Sequence, residues 1–353
     1  AEALSPQATV HMHADGEWRD APLVDRAAMR PGDVIDGPAI VVEPSATTII
    51  DPGWRARMTP RGDLMLTRVA VRPQRRAIGT EADPVMLEVF NNLFMSVAEQ
   101  MGYRLQNTAH SVNIKERLDF SCAVFDAAGN LIANAPHMPV HLGSMGASVQ
   151  AVIRDNAGAV RPGDVFVLND PYRGGTHLPD VTVITPVFGE AQASRGGASA
   201  DPPILFWVGS RGHHADIGGL TPGSMPPDSG TIDDEGVLLT NVRLVQAGRL
   251  REAEMRALLA GAKHPARNPD QNLADLAAQI AANEKGREEL SRMCEHFGLD
   301  VVQAYMRHVQ ANAEESVRRV VSALSDGEHE LPLDNGARIR VAIRVDRAAR
   351  SAV

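Results

Sequence analysis

Residues 164–187 read DVFVLNDPYRGGTHLPDVTVITPV and contain two apolar runs separated by a polar segment. The runs at 164–168 and 181–187 are rich in valine and isoleucine, so they are predicted to be buried strands. A proline lies between His177 and Asp180, and proline ends or kinks a helix, so these two side chains are expected on a loop. The stretch therefore predicts strand, loop and strand, with an imidazole and a carboxylate on the loop.

A third apolar run, 204–208, leads into the polar stretch 209–219, where His213 and Asp216 repeat the His-x-x-Asp spacing. Imidazole and carboxylate together suit a divalent cation such as Zn, Mn or Fe. The alternative interpretation is that each His and Asp bond each other and hold a strand end. Adjacent side chains on extended backbone point opposite ways, so only one of His213 and His214 is expected to face such a site.

Four polar residues near these runs have both a functional and a structural interpretation. Asp170 is either a carboxylate of the site or the residue that opens a turn before a proline. His137 and His141 lie beside prolines in a predicted loop, where they either contact substrate or make ordinary loop hydrogen bonds. Arg173 either holds a substrate carboxylate through its guanidinium or lies on the surface next to the turn.

The composition of the 353 residues excludes several classes of function. Hydrophobic residues make up 44% and aromatic residues 4%, so the core is expected to be aliphatic. A net charge of -9, without a basic stripe that carries aromatic residues, argues against a nucleic-acid partner. No apolar run approaches the roughly 18 residues that suggest a membrane span. Cys122 lies in an apolar predicted strand and is expected in the core. It is far in sequence from the other cysteine, Cys294, which predicts no disulfide framework and a cytoplasmic location.

The fold class predicted from these patterns is mixed α/β (α+β), with a small N-terminal β-rich unit followed by an α/β domain whose C-terminal part is helical. Residues 1–70 hold β-branched runs separated by turn formers, and 71–82 form a candidate linker. The second domain is expected over 83–353. Asp83 and Pro84 suit the cap and first position of a helix.

Further elements follow from periodicity and from residues that break it. The first helix is expected to end at Gly102, and a second helix is expected over 144–156. The segment 190–203, rich in Ala, Gly and Ser, is interpreted as a surface loop. From Leu250 to about Leu324 the chain is expected to be mainly helical. The alternation of apolar and basic residues at 337–345 predicts a half-buried strand.

The order of these segments resembles the hydantoinase B/oxoprolinase family. The segments that carry this resemblance are 83–93, 111–122, 125–130, 137–144, 169–180 and 213–219. The first part of the chain is similar to the carboxyl-terminal end of the hydantoinase A family, through residues 31–40 and 47–54. The resemblance to the B-type family runs from about residue 83 to the end of the chain.

An A-type tail fused to a B-type head is the arrangement of single-chain family members that open 5-oxo-L-proline to L-glutamate with ATP. The resemblance thus implies a small-molecule lactam substrate and, as partner, the hydantoinase A-type region of the same polypeptide. It implies that ATP and Mg bind in the core of that region, outside this chain, and that the B-type domain is incomplete at its C-terminus. A homo-oligomer is also expected.

The resemblance also implies roles for single residues. In related carboxylases the B-type subunit carries a divalent metal on His and Asp side chains, which implies His177, Asp180 and His213 as ligands here. The polar stretches themselves, apart from the resemblance, supply the catalytic candidates His214, Asp170 and Asp216 and the substrate-binding candidates His137, His141 and Arg173. The alternatives are a hydantoinase or acetone or acetophenone carboxylase-type subunit, and a non-catalytic scaffold that docks the ATP-using region.

Overall fold

The structure is a computed structural model that describes residues 4–14, 16–70, 79–134, 138–189 and 202–353. The chain divides into two compact units, residues 1–78 and 79–353. Most of the predicted linker, most of the predicted surface loop at 190–203 and His137 lie outside the described residues.

The first unit consists of two small β-sheets. Its strands are β1 (Ala8–Ala14), β2 (Glu17–Asp25), β3 (Val34–Asp36), β4 (Ala39–Glu43), β5 (Ala46–Ile50), β6 (Trp54–Met58) and β7 (Leu64–Arg68). One sheet has the order β1-β2-β4-β5 and the other the order β3-β6-β7. Val41, Ile50 and Met58 contribute to one buried apolar cluster. The β-branched runs of the sequence therefore supply both the strands and the core.

The second unit is built on a seven-stranded sheet in which every neighbouring pair is antiparallel. Its strands are β8 (Phe120–Asp126), β9 (Leu131–Asn134), β10 (Val165–Leu168), β11 (Asp180–Phe188), β12 (Ile204–His213), β13 (Val242–Gln246) and β14 (Arg249–Leu250). The order is β14-β13-β10-β11-β12-β8-β9, so β11 and β12 lie at the centre of the sheet. The predicted burial of Cys122 in β8 is confirmed.

Helices cover both faces of this sheet. They are α1 (Pro84–Thr108), α2 (Val112–Lys115), α3 (Pro139–Asp155), α4 (Glu252–Gly261), α5 (Pro269–Phe297) and α6 (Leu299–Ala323). On one face, Met145 and Val149 of α3 share an apolar cluster with Phe125 of β8. On the other face, Leu276 of α5 shares a second cluster with Val183 of β11. The predicted α+β class with a helical C-terminal part is confirmed.

Long α5 also presents polar side chains to the sheet, and these side chains are fully buried. Gln279 donates hydrogen bonds to the carbonyl oxygens of Val181 and Ser210, at 2.9 and 3.1 Å. Asn283 donates to the carbonyl oxygen of Val183 at 3.0 Å. These bonds fasten the middle of β11 and β12 to the helix from behind.

Two helix boundaries differ from the sequence predictions. Helix α1 passes through Gly102 because Met101 and Leu105 continue its buried stripe. Helix α3 begins at Pro139 instead of residue 144, since proline suits the first helical position.

The predicted C-terminal strand forms as β16 (Arg338–Ile343), but it pairs with β15 (Gly327–Pro332) in an exposed hairpin, so the prediction of half burial was wrong. Two short strands, β17 (Val345–Asp346) and β18 (Ser351–Ala352), follow it. No helix in the described parts of the chain combines the length and apolar character that crossing a membrane requires.

Candidate functional site

A buried carboxylate, that of Asp180, lies among three imidazole rings. Asp180 Oδ2 is 3.1 Å from His141 Nε2 and 3.0 Å from His177 Nδ1. Asp180 Oδ1 is 3.1 Å from His213 Nδ1. These four residues are called the Asp180 cluster below. The convergence that was predicted for His177, Asp180 and His213 is therefore present in the fold.

Each member of the cluster comes from a different segment of the second unit. Asp180 and His213 are direct partners in the pairing of β11 with β12, so their side chains lie on the same face. His141 lies in the first turn of α3, the helix that covers this face. His177 lies on the loop before β11, and its carbonyl oxygen accepts a hydrogen bond from the Asp180 amide at 3.1 Å.

Two residues that the sequence analysis did not single out extend the cluster. Asp119 Oδ2 is 3.7 Å from His213 Nδ1, and Ser121 Oγ is 3.1 Å from His141 Nδ1. Asp119 immediately precedes the apolar run that forms β8, and polar residues at strand ends are frequent site residues. That position was the available signal for Asp119.

The electrostatics of the cluster favour an ionised carboxylate. Burial alone would raise the pKa of Asp180, but hydrogen bonds from His141, His177 and His213 outweigh this effect and hold the pKa well below its usual range. The hydrogen bond to Asp180 raises the pKa of His177. The His177 side chain is 42% exposed, whereas that of Asp180 is 2% exposed, so the cluster is open to solvent on the side of His177.

The donor atoms of the cluster suit a divalent cation. His177, Asp180 and His213 each offer one ligand atom, and these atoms lie within 4.8 Å of one another. The same holds for a second set, Asp119, His141 and Asp180. Such spacing is compatible with bonds of about 2.0–2.2 Å to a common centre, and mixed imidazole and carboxylate ligands suit Zn, Mn or Fe. The residues present therefore fit the cation that was predicted.

His141 has a different environment from the one predicted for it. It was expected in a loop, as a substrate-binding residue, but it lies in a helix with a side chain that is only 1% exposed. One ring nitrogen faces Asp180 and the other faces Ser121. This arrangement fits a residue that orients the carboxylate from behind.

The loop that carries His177 needs the two glycines at its start. Gly174 has a φ of 93°, in the left-handed region. A Cβ atom on Gly175 would lie 2.3 Å from the carbonyl oxygen of Asn169. The backbone of this loop therefore packs directly against the backbone at the end of β10, which fixes where His177 projects.

We expect Gly175→Ala to displace this loop and to weaken cation binding by the cluster by roughly 10-fold or more, the size of effect produced by disturbing residues that support a metal ligand. The Cβ atom cannot be accommodated because its neighbours are backbone atoms. Gly146→Ala in α3 is the matched control, since a Cβ there meets nothing within 4 Å. Titration with Co²⁺ measures the affinity of both variants for the cation, and equal affinities would contradict the expectation.

Asp170 forms a turn instead of joining the cluster. Its carboxylate accepts hydrogen bonds from the Tyr172 amide at 2.9 Å and from the Thr240 hydroxyl at 2.7 Å. Arg173, at the end of the same turn, has a side chain that is 55% exposed and lies 3.7 Å from Asp155. The contacts of the Asp170 carboxylate agree with the structural alternative, and its carbonyl oxygen accepts a hydrogen bond from the Gly175 amide at 2.7 Å, in the loop that carries His177. Among the described residues, no contact joins Arg173 or the Asp170 carboxylate to the cluster itself.

His214 lies on the opposite face of the sheet from His213, as the alternation along β12 requires. Its Nε2 is 3.1 Å from Gln279 Oε1, and its Nδ1 is 3.0 Å from Asn272 Nδ2. Burial lowers the pKa of His214. A neutral ring that donates through Nε2 to Gln279 and accepts at Nδ1 from Asn272 fits both contacts, so His214 fastens α5 to the sheet. Its predicted catalytic role has no support from its position.

Asp216 also bonds within its own loop. Its carboxylate accepts hydrogen bonds from the amides of Gly218 and Gly223 and from the side chain of Arg267. Although burial opposes it, these bonds lower the pKa of Asp216. Asp216 therefore closes the loop after β12, and its predicted catalytic role has no support from its position.

Comparison with known proteins gives two matches to family models. The model described as Hydantoinase B/oxoprolinase matches residues 83–353, and the model described as Hydantoinase/oxoprolinase C-terminal domain matches residues 3–61. Together the two models account for most of the chain, in the order that the sequence analysis predicted.

Individual proteins are similar along the chain. The 5-oxoprolinase of Dictyostelium discoideum is 39% identical over 363 residues, which cover 100% of this chain and 27% of that protein. The 5-oxoprolinase 1 of Arabidopsis thaliana is 41% identical, over 92% of this chain and 26% of that protein. The chain thus spans about a quarter of the length of these relatives.

A solved structure is similar as well. The crystal structure of an ATP-dependent caprolactamase from Pseudomonas jessenii aligns with a TM-score of 0.63 and 26% identity, over 77% of this chain and 45% of that chain.

Proposed function

The chain belongs to the hydantoinase B/oxoprolinase family, and from this membership we propose that it is part of an ATP-dependent 5-oxoprolinase. The reaction converts 5-oxo-L-proline, ATP and two water molecules to L-glutamate, ADP and phosphate. The observation that carries the proposal to this chain is the Asp180 cluster, an anionic carboxylate among three imidazoles that is open on one side. The similarity to two proteins named 5-oxoprolinase supports the choice of substrate.

The chemistry divides between two regions. A lactam is a poor electrophile because amide resonance must be broken before water adds to the carbonyl carbon. Phosphorylation of the lactam oxygen removes that resonance, and we assign this step to the hydantoinase A-type region of the same polypeptide, with its ATP and Mg. The B-type region then receives the activated ring. A first water adds to the activated carbon, the carbon–nitrogen bond breaks and the nitrogen takes a proton, which leaves an acyl phosphate. A second water hydrolyses this acyl phosphate to the side-chain carboxylate of glutamate and free phosphate.

In this proposal His177, Asp180 and His213 hold a divalent cation, with Asp119 beside them. When bound, such a cation supplies Lewis acidity, which allows water to deliver hydroxide near neutral pH. His141 keeps Asp180 ionised and oriented, through its bond to Ser121 on the other side of the ring. The open side at His177 is where the activated lactam approaches.

Without a cation, the same geometry supports a general base. His213 has Asp180 behind it at 3.1 Å, the arrangement that orients an imidazole for proton transfer from water. Metal analysis of the purified chain distinguishes the two versions. A stoichiometric divalent cation supports the cation version, and its absence together with an active complete enzyme supports the general base.

The test of the proposed function uses the complete enzyme with ATP and 5-oxoproline. We expect His177→Ala to lower glutamate release by roughly 100-fold, because a ligand or proton-carrying group is lost, while nucleotide affinity changes less than about two-fold. His110→Ala, an exposed histidine outside the cluster, is the control. Unchanged glutamate release by folded His177→Ala would remove the cluster from the chemistry and favour the scaffold alternative.

A different lactam is the second candidate substrate. The observation in its favour is the structural similarity to the ATP-dependent caprolactamase. Parallel assays with 5-oxoproline, caprolactam and hydantoin decide between the substrates, since each ring opens to a different amino acid or carbamoyl product. Preference for a ring other than 5-oxoproline, at equal nucleotide affinity, would replace the first proposal. A homo-oligomer and a cytoplasmic location stay predictions.

A further inference from the structure

We infer that Arg211 is a positioning residue for the Asp180 cluster, a buried guanidinium that fixes the spacing between the segments that carry the cluster. The inference rests on the proposed function, because it assigns to the cluster the task of holding a divalent cation. Arg211 lies in β12 two residues before His213, on the same face of the sheet, and it is fully buried.

The guanidinium donates to three hydroxyl groups on two different elements. Nε donates to Thr182 Oγ1 of β11 at 2.7 Å. Nη1 donates to Ser144 Oγ and Nη2 donates to Ser148 Oγ, both on α3, at 2.5 and 2.7 Å. One planar group therefore connects β12, β11 and α3 with fixed angles between its bonds.

Each of these hydroxyls is linked to a segment that carries a member of the cluster, either by sequence or by a hydrogen bond. Thr182 lies two residues after Asp180 on the same face of β11. Ser144 lies three residues after His141 and donates to its carbonyl oxygen at 3.2 Å. Ser148 donates to the carbonyl oxygen of Gly174, three residues before His177. Small movements of the guanidinium would thus shift all the segments that carry the cluster.

The charge of Arg211 supports a role in the site beyond packing. In the described parts of the chain, no carboxylate lies within ion-pair distance of this guanidinium, and its side-chain hydrogen-bond partners are neutral hydroxyls. Burial lowers the pKa of Arg211 to about 10, and the negative charge of Asp180 opposes that decrease. An unpaired buried cation is expensive, so an apolar side chain would serve packing better. Arg211 instead places a permanent positive charge beneath the Asp180 carboxylate.

Substitution of Arg211 by lysine distinguishes the effect of the guanidinium's hydrogen-bond geometry from the effect of its charge. Arg211→Lys keeps a positive charge but loses the planar donor geometry, and Arg211→Met loses both. Thr182→Val and Ser148→Ala each remove one acceptor and leave the guanidinium in place. Thr185→Val is the matched control, because Thr185 is a buried threonine on the same strand whose hydroxyl bonds to Asn283, on the opposite face.

The experiment loads the purified chain with Co²⁺ and records the visible absorption spectrum and the affinity in competition with a chelator. We expect Arg211→Lys to weaken Co²⁺ binding by roughly 10- to 100-fold and to change the spectrum, as loss of a residue that orients ligands does. Thr182→Val and Ser148→Ala should give smaller changes in the same direction, and Thr185→Val should match the wild type in both readouts. The Arg211→Met variant should bind Co²⁺ more weakly than the Arg211→Lys variant.

The outcomes separate this inference from the proposed function. A wild-type chain that binds no Co²⁺ overturns the cation site and the role of Arg211 with it. Wild-type binding, together with the same affinity and spectrum in folded Arg211→Lys, overturns the role of Arg211 and leaves the cation site intact. Where Arg211→Met does not fold, Arg211→Lys, Thr182→Val and Ser148→Ala decide the question.

Discussion

Replacing Asp180 with Asn is expected to abolish cation binding and to lower glutamate release by the complete enzyme by roughly 100-fold or more. Lewis-acid assistance by a cation contributes several kcal/mol to lowering the barrier, and each 1.4 kcal/mol changes the rate about tenfold. The substitution keeps the size of the side chain but removes the negative charge that three imidazoles face. An amide also presents N–H groups to imidazole nitrogens, so the rings must reorient. Co²⁺ titration and product release measure the two effects on one preparation.

Asp228→Asn is the control for this substitution, because Asp228 is an exposed carboxylate outside the cluster. Thermal unfolding of both variants establishes that the fold is intact. A folded Asp180→Asn variant with wild-type rates of glutamate release would show that the cluster is structural and would sink the proposed mechanism.

Replacing Asp275 with Ala is expected to lower the free energy of unfolding of the second unit by about 3 kcal/mol or more. The Asp275 carboxylate of α5 is fully buried and accepts hydrogen bonds from the His110 amide at 2.6 Å, the Ser111 amide at 3.0 Å and the Ser111 hydroxyl. Each buried donor left without an acceptor costs about 1–3 kcal/mol. Chemical denaturation measures this loss of stability as a lower denaturant concentration at the midpoint, provided that the dependence of the free energy on denaturant is the same in both proteins.

Asp270→Ala gives the matched comparison on the same helix. Asp270 has a side chain that is 80% exposed and pairs with Arg256 at 2.7 Å, so the loss should stay below about 1 kcal/mol. Equal losses for the buried and the exposed aspartate would contradict the idea that unsatisfied donors dominate. The Ser111 hydroxyl also accepts from the Ala215 amide at 3.0 Å, so Asp275→Ala is expected to loosen the segment after His213 as well.

Periodicity predicted the helices and strands because each element buries one face. The apolar stripe of α1 was predicted correctly, but the rule that glycine commonly ends a helix placed its C-terminus too early. Gly102 has the residue type of a helix end, yet it lies within the buried stripe between Met101 and Leu105. Burial of that face against the rest of the unit outweighs the conformational preference of one glycine.

Sequence patterns found the members of the Asp180 cluster better than they found their surroundings. Pro139 was predicted to lie in a loop, although proline is favoured at the first position of a helix, as had been predicted for Pro84. Consequently His141 was placed in a loop. The apolar run of the third strand ends at residue 208 in the sequence, but 209–212, with two glycines, continues the strand and pairs with β11 on one side and β8 on the other. Pairing on both sides overrides the weak strand propensity of glycine.

The assignments that failed depend on which face a side chain takes and what it meets there. Asp170 and Asp216 have the same residue type and the same strand-end placement as Asp180, and only tertiary contacts distinguish them. Those contacts are a turn for Asp170 and a loop closed by Arg267 for Asp216. Arg211 was not singled out, because nothing in a single sequence distinguishes a buried arginine from an exposed one.

The hydrogen bonds from Gln279 and Asn283 to the strand carbonyls have a consequence for local opening. β11 and β12 cannot separate in the middle of the sheet unless α5 also leaves, so their amide protons exchange with solvent only through a large cooperative opening. Asp180, at the start of β11, and His213, at the end of β12, are therefore expected to belong to a slowly opening part of the fold, so the carboxylate and one imidazole of the site keep their positions through ordinary local fluctuations.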